Sequence, residues 1–184
     1  MANDSANVGA AKPNVGGALW WAPAGTAVPT DASTPLSSDF KCIGYLSEDG
    51  LTEKETRSFT KHKAWGGDTV ASSQTEYAKA YGFTMIETND TTMKARYGAD
   101  NVEVGEDGKV EHVKHNAKEL PEGAWVAEMI IANRICRKVM PRGKIEEVGE
   151  VTYKDSDLVK YPATIGLLPD KNGDYENDYY AEVA

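Results

Sequence analysis

The stretch "TEKETRSFTKHKAWGGDTVASSQTEYAKAYGFTMIE", residues 52–87, decides the fold. Its first half is charged, rich in threonine and nearly without core residues. A strand of that composition has two polar faces, so it makes a poor interior strand in an ordinary sandwich. It fits a sheet edge, or a sheet face that looks into water. The second half alternates: Tyr77, Tyr81, Phe83 and Met85 fall on one side, and Gln74, Glu76, Ala78, Ala80, Gly82 and Thr84 on the other. Period two with one apolar face predicts a half-buried strand. Between the halves stands Gly66-Gly67-Asp68. A phosphate-cradling loop needs a Gly-Lys-Ser/Thr ending that opens a helix. Here no Lys-Ser/Thr follows and the next segment is a strand. A dinucleotide fingerprint fails for the same reason. The two glycines therefore read as a tight turn with positive φ, and the stretch as a β-hairpin whose tip carries Trp65.

Working outward, "NDTTMKARYG" breaks the β pattern. Asn89 or Asp90 can cap a helix, Met93 and Tyr97 stand at i and i+4, and Gly98 closes it. This is the one convincing helix. On the N-terminal side, residues 1–16 are small, polar and non-periodic, and read as a flexible arm. "GALWWAPAG" gives a short strand with Trp20 and Trp21, followed by an irregular loop with Pro29 and Pro35. "FKCIGYL" reads as a strand and Asp49-Gly50 as a turn. On the C-terminal side, "VEVGEDGKVEHV" is a hairpin around Asp107-Gly108. "GAWVAEMIIANRICRKVM" is the longest β-rich run, and "GKIEEVGEVTYK" and "LVKYPATIGLLPD" give two more strands. Residues 170–184 are acidic, with Tyr175, Tyr179 and Tyr180 interleaved, and read as an ordered arm. Seven or eight strands and one short helix make a mostly-β domain over residues 17–169, a β-sandwich or partly open barrel between two arms.

The chain has 184 residues, a formal net charge of -9 and a pI near 4.9. A chain this size buries roughly 70% of its unfolded surface and needs no disulfide or metal to fold. Its acidity makes it a poor grip on nucleic acid, which needs clustered Lys and Arg. It can still pass close to nucleic acid where adhesion would be harmful. Cys42 and Cys136 fit no disulfide framework or zinc site and read as buried thiols. No signal peptide or membrane-spanning run is evident, so a soluble protein made in a cytoplasm is expected. His112 and His115, three apart in a strand, point to opposite faces. Carboxylate pairs such as Glu146-Glu147 lie in solvated settings that would not raise a pKa for acid chemistry. No Ser or Cys has a readable His and Asp arrangement around it. Neither enzyme, cofactor nor metal is expected. A mobile arm, an acidic aromatic arm, a two-faced polar strand and aromatics beside loops suit a subunit surrounded by copies of itself. One alternative stays open: a carbohydrate- or receptor-binding module with Trp20, Trp21 and Trp65 as its platform.

"KPNVGGALWWAPAGTAVPTD", "IGYLSEDGLTE", "KAWGGDTV", "YGFTMIETND", "KHNAKELPEGAWVAEMI" and "GEVTYKDSDLVKYPATIGLLPD" occur in order from about residue 12 to about residue 178. Together they resemble the major tail tube proteins of long-tailed bacteriophages with non-contractile tails. The resemblance implies a β-sandwich or partly open barrel with one flanking helix. It also implies six copies per ring, rings stacked into a hollow tube, and DNA leaving the capsid through a lumen lined by one sheet of each copy. The partners implied are the chain itself, a tape-measure protein and tail terminator or initiator proteins, within a virion and without a membrane. On this reading Glu53, Glu55, Glu76 and Glu128 are the lumen-facing candidates. Trp65, Gly66, Gly67, Asp68, Trp20 and Trp21 are the inter-subunit candidates. The two polar faces, the negative charge and the removal of sheet edges by ring closure agree with it. Another virion protein, at the head–tail connection or decorating the capsid, stays open as an alternative.

Overall fold

The computed structural model describes residues 3–183; the first two residues of the N-terminal arm and the last of the C-terminal arm lie outside this range. The described chain holds eleven strands and one α-helix. They are β1 (Lys12–Pro13), β2 (Leu19–Pro23), β3 (Lys41–Cys42), β4 (Leu46–Lys63), β5 (Thr69–Met85), α1 (Asp90–Tyr97), β6 (Val102–Val104), β7 (Val110–Val113), β8 (Gly123–Ile131), β9 (Arg134–Val148), β10 (Tyr161–Leu167) and β11 (Asn177–Glu182). Nine strands form one sheet in the order β3-β2-β8-β9-β10-β5-β4, with β1 added on β8 and β11 on β9. β6 and β7 pair separately.

β9 is the spine of the sheet. Residues 134–139 lie between β8 and β11, and residues 143–148 pair with β10. The sheet folds over itself along this strand. Leu19, Trp125 and Ala127 on one part face Tyr81, Phe83, Met85, Ile165 and Leu167 on the other, all buried in one core. Phe83 and Trp125 meet with ring centroids 6.1 Å apart. Gly143 sits where the layers come closest: a Cβ there would lie 2.7 Å from Ile165 Cγ2 and 2.9 Å from Trp125 Cδ1. Trp125 Nε1 donates to the Gly143 carbonyl at 3.2 Å, which satisfies the buried indole. The end strands β3 and β4 do not pair with each other, so the fold is an unclosed sandwich with one short helix, the expected class.

The helix follows its sequence signals. Asn89 Oδ1 accepts from Thr92 N, and Gly98, with φ 88°, ends the helix. Thr92 Oγ1 donates to the Ile43 carbonyl at 2.8 Å, and buried Arg96 donates to the carbonyls of Pro162 and Gly149. A helix of only eight residues is marginal alone and is held by such tertiary bonds.

Several expectations change. Asp49-Gly50 does not turn the chain; β4 runs through it. Leu46 lies opposite Met85 and Leu51 opposite Phe83, so residues 47–50 form a bulge across from Thr84 alone. Both leucines keep the core face, and Gly50, with φ 69°, absorbs the extra length. "FKCIGYL" is not one strand: Gly44, with φ 94°, separates β3 from β4. The run "GAWVAEMIIANRICRKVM" is two strands joined at Ala132-Asn133, both with positive φ as a tight hairpin turn requires. "GEVTYK" carries no strand beyond Val148. Of the N-terminal arm, Lys12 and Pro13 pair with β8. The acidic arm forms β11, bonded along β9. Cys136 is buried, whereas Cys42 is only partly so; both are free thiols.

Candidate assembly surface

β4 and β5 make a hairpin of 18 and 17 residues. Only residues 80–85 of β5 also pair with β10. Beyond them the two strands pair with each other alone, out to Lys63 opposite Thr69. That free length, nine residues on β4, projects roughly 30 Å at about 3.3 Å per residue.

Registry fixes its two faces. One carries Glu53, Glu55 and Arg57 opposite Tyr81, Lys79 and Tyr77; it continues into the core through Phe83 and Met85. The other carries Lys54, Thr56 and Ser58 opposite Ala80, Ala78 and Glu76. A second bulge, at Thr75, moves Gln74 to the first face, where it accepts from Arg57 Nη1 at 3.2 Å. Strict alternation had placed Gln74 with Glu76, and the extra residue reverses that.

At the tip, Ala64 N–H donates to Asp68 O at 2.8 Å and Gly67 N–H to Ala64 O at 3.0 Å. Gly66 and Gly67 have φ of 116° and 102°, as the turn reading requires. Trp65 is wholly exposed at 106%, with Phe59 and Val70 also exposed nearby. The hairpin is locally basic. Residues 52–79 hold Lys54, Arg57, Lys61, Lys63 and Lys79 against Glu53, Glu55, Asp68 and Glu76, in a chain of net charge -9.

The C-terminal arm clasps the hairpin's base. Lys79 Nζ lies 2.7 Å from Glu53 and 2.8 Å from Glu176. Lys138 Nζ lies 3.1, 3.0 and 2.7 Å from Glu53, Glu176 and Asp178. Tyr81 OH donates to Glu176 at 2.7 Å. Tyr175 meets Tyr77 edge-on, with centroids 4.7 Å apart, and Arg57 covers the Tyr77 ring. Burial pushes Glu176 above its ordinary pKa, and the neighbouring Asp178 adds to this against the pull of Lys79. Burial would also raise Glu53, but hydrogen bonds from Lys79 and Lys138 outweigh it and hold Glu53 at about 2. Burial would lower both lysines, and the surrounding carboxylates instead raise them. Burial and Glu176 raise Tyr81 far above the usual phenol.

Glu128 is in a different place from the other three glutamates. It is 6% exposed and paired with Arg137, which also donates to the carbonyls of Asp31 and Thr34 at 2.8 Å. Asn14 of the N-terminal arm donates to its second oxygen at 3.1 Å. The pair ties together β8, β9, the 26–40 loop and the N-terminal arm. Glu53 is engaged at the hairpin base, Glu55 pairs with Arg57 on the same face, and Glu76 accepts from Ser58 on the opposite face. Trp20 and Trp21 are half-buried against their own domain: Trp20 Nε1 donates to the Gly17 carbonyl, and Trp21 meets Trp125 with centroids 6.5 Å apart. The sequence reading missed the network around Glu176, whose members come from four separate stretches. It also missed the Glu128–Arg137 pair, for which a signal existed: a two-residue turn at Ala132-Asn133 sets these residues directly opposite.

Among the described residues no group of three or more His, Cys, Asp or Glu side chains is placed to hold a metal ion, and no helix is long and apolar enough to cross a membrane. A β domain whose longest hairpin extends away from its own core, with an exposed tryptophan at the end, defines a subunit built for assembly. The family model described as Phage tail tube protein matches residues 1–180, and the chain belongs to that family. It is a structural component of the phage tail, within the virion. Comparison with curated proteins gives no match.

Proposed function

We propose that six copies of this chain close into a ring, and that rings stack into a tube conducting DNA from capsid to host. The observation that carries this reading is the free part of the β4/β5 hairpin. Nine residues of β4 leave the body with water on both faces and one unpaired edge. An isolated two-stranded ribbon is at best marginally stable, and an open edge invites pairing with another chain. Coverage by neighbouring copies resolves both. The tail's other components, a tape-measure protein and terminator or initiator proteins, are the further partners. Synthesis in the host cytoplasm precedes assembly.

The lumen wall is assigned to the Glu76 face. The opposite face, with Glu53 and Glu55, runs into Tyr77, Tyr81 and the C-terminal arm, so it faces protein. The Glu76 face bears Lys54, Thr56, Ser58, Ala78, Ala80, Gly82 and Thr84, and continues on β10 and β9 through Thr164, Lys144, Glu146 and Glu147, three carboxylates against two lysines. Small hydroxylated side chains with a slight acidic excess let a polyanion slide without adhering. Glu55 and Glu76 stand on opposite faces and do not line one wall together; Glu128 is engaged inside the body. Trp65, Gly66, Gly67 and Asp68 form the inter-subunit tip, and Trp20 and Trp21 support their own domain near a ring contact. A reconstruction of the assembled tail tests this directly. Sixfold rings with Glu76 turned inward are expected. A strictly monomeric protein absent from purified virions overturns the assembly, and Glu76 on the outer surface overturns the lumen assignment.

A further inference from the structure

A groove of about 550 Å³ lies between residues 11–18 of the N-terminal arm and the β4 bulge at residues 45–51. Its floor is apolar, with Leu46, Leu51 and Met129, and its mouth is flanked by Val15 and Tyr45, which are 99% and 76% exposed. Exposed apolar side chains around an apolar hollow mark a binding surface more than isolated ones do. The acidic Glu48, another groove residue, and its neighbour Asp49 stand exposed at the bulge.

We propose that this groove is the socket for the hairpin tip of a second copy, with Trp65 as the inserted side chain. The inference rests on the self-assembly reading above and names the site at which the tip docks. Three observations select this occupant. First, Trp65 is wholly exposed on a turn made by Gly66 and Gly67, where nothing lies within 4 Å of a would-be Cβ. The indole therefore leads a narrow tip with no neighbouring side chain to obstruct entry. Tryptophan is among the residues enriched at interface hot spots, where it sits in a well-packed pocket. Second, the charges match. Lys61 and Lys63 outweigh Asp68 at the tip, and Glu48, Asp49 and Glu87 outweigh Lys12 around the groove. Third, the tip of the same chain cannot reach it. The groove is at the base of β4 and the tip beyond its far end. Pairing from Leu51 to Lys63 keeps them about 40 Å apart at about 3.3 Å per residue.

A knob at one end of a strand and a socket at the other form a heterologous contact. Such contacts repeat without limit when they do not close, which is what a stack of rings needs.

Disulfide trapping tests the contact. Ala64→Cys, beside Trp65 at the tip and leaving the indole in place, is combined with Tyr45→Cys, in a Cys42→Ser background because Cys42 also lines the groove. Assembled tubes and dispersed subunits are oxidised and run on non-reducing gels. A ladder of linked chains from tubes, with none from dispersed subunits, is expected. Intact tubes without a ladder overturn the socket while leaving self-assembly standing. Failure of the unmodified protein to form tubes overturns self-assembly and the socket with it. Where the cysteine variants themselves do not assemble, charge exchange decides. Lys61→Glu with Lys63→Glu should lower tube yield by about tenfold or more, and adding Glu48→Lys with Asp49→Lys should restore it. Failure of that rescue in folded protein counts against the socket.

Discussion

β5 is a single strand with two environments. Its C-terminal residues, Tyr81, Phe83 and Met85, are buried against the opposite layer, while its N-terminal residues, from Thr69 to Glu76, touch only β4 and solvent. The chemistry changes at Lys79 and Tyr81, where the C-terminal arm closes over the base. The body is held by its own apolar core. The projecting half has no core of its own and relies on pairing, bulges and surface polar contacts. Stability of the subunit and competence to assemble are therefore carried by different residues of one continuous ribbon, and substitutions in the two halves should fail in different ways.

The largest effect belongs to the body. Trp125 is 2% exposed, contacts Phe83 and Trp21, and bonds to Gly143 O. Trp125→Ala should cost about 3–5 kcal/mol, the range for deleting a buried aromatic. Chemical denaturation of the dispersed subunit measures this, and any loss of tubes should follow from unfolding. A loss below about 1 kcal/mol would mean that the two layers do not share one core.

Next is the Glu128–Arg137 pair. Removing one partner of a buried ion pair leaves the other charge uncompensated, at a cost of about 3–5 kcal/mol. Arg137→Ala also orphans the carbonyls of Asp31 and Thr34. Denaturation should show the loss, and the 26–40 loop should become sensitive to protease. Were Arg137→Ala neutral in the subunit but harmful to tubes, Glu128 would belong with the assembly residues.

The opposite pattern is expected at the tip. Trp65→Ala should leave the subunit's circular dichroism and Tm nearly unchanged, because the indole contacts nothing in its own chain. Loss of an interface aromatic can cost on the order of 2 kcal/mol per contact. Every subunit of a stacked tube repeats that loss, so tube yield should fall sharply. A drop of several degrees in the dispersed subunit's Tm would erase the division between the two halves.

Much of this division is legible in residues 52–87. The alternation of Tyr77, Tyr81, Phe83 and Met85 identifies the buried face, and the apolar-poor run before Gly66 identifies the projecting strand. The bulges are not legible. Asp49-Gly50 carries a turn signal, and only the packing of Leu46 and Leu51 on one face shows that the chain continues straight. Thr75 has no local mark at all. Glu176 lies 95 residues from the tyrosine that donates to it, so their contact is set by how β11 docks on β9 and not by any nearby pattern. Trp65 was legible as an exposed tip because glycines on one side and lysines on the other leave it no core to join.

The smallest effect sharpens the boundary itself. Glu53 accepts from Lys79 and Lys138 where the hairpin leaves the body, and these bonds hold its pKa at about 2 against an ordinary 4.5. A carboxylate depressed in the fold stabilises it fully above the unfolded pKa, and that contribution disappears as pH falls through the folded one. Glu176 has the opposite sign: burial raises its pKa, so charging it opposes folding and protonation relieves the cost. Lys79 and Lys138, both raised, lose their contribution only as pH climbs beyond the ordinary lysine range. Glu53→Gln should therefore lower the Tm of the subunit most above pH 4.5, and the gap from wild type should close toward pH 2. Glu53 keeps partial contact with water, which screens the interaction, so the gap should be no more than about 2 °C. Melting curves of both proteins across this range measure it. A gap that stays constant with pH would show that Glu53 acts through packing alone, and that the lysines at the hairpin's base are held by Glu176 and Asp178 without it.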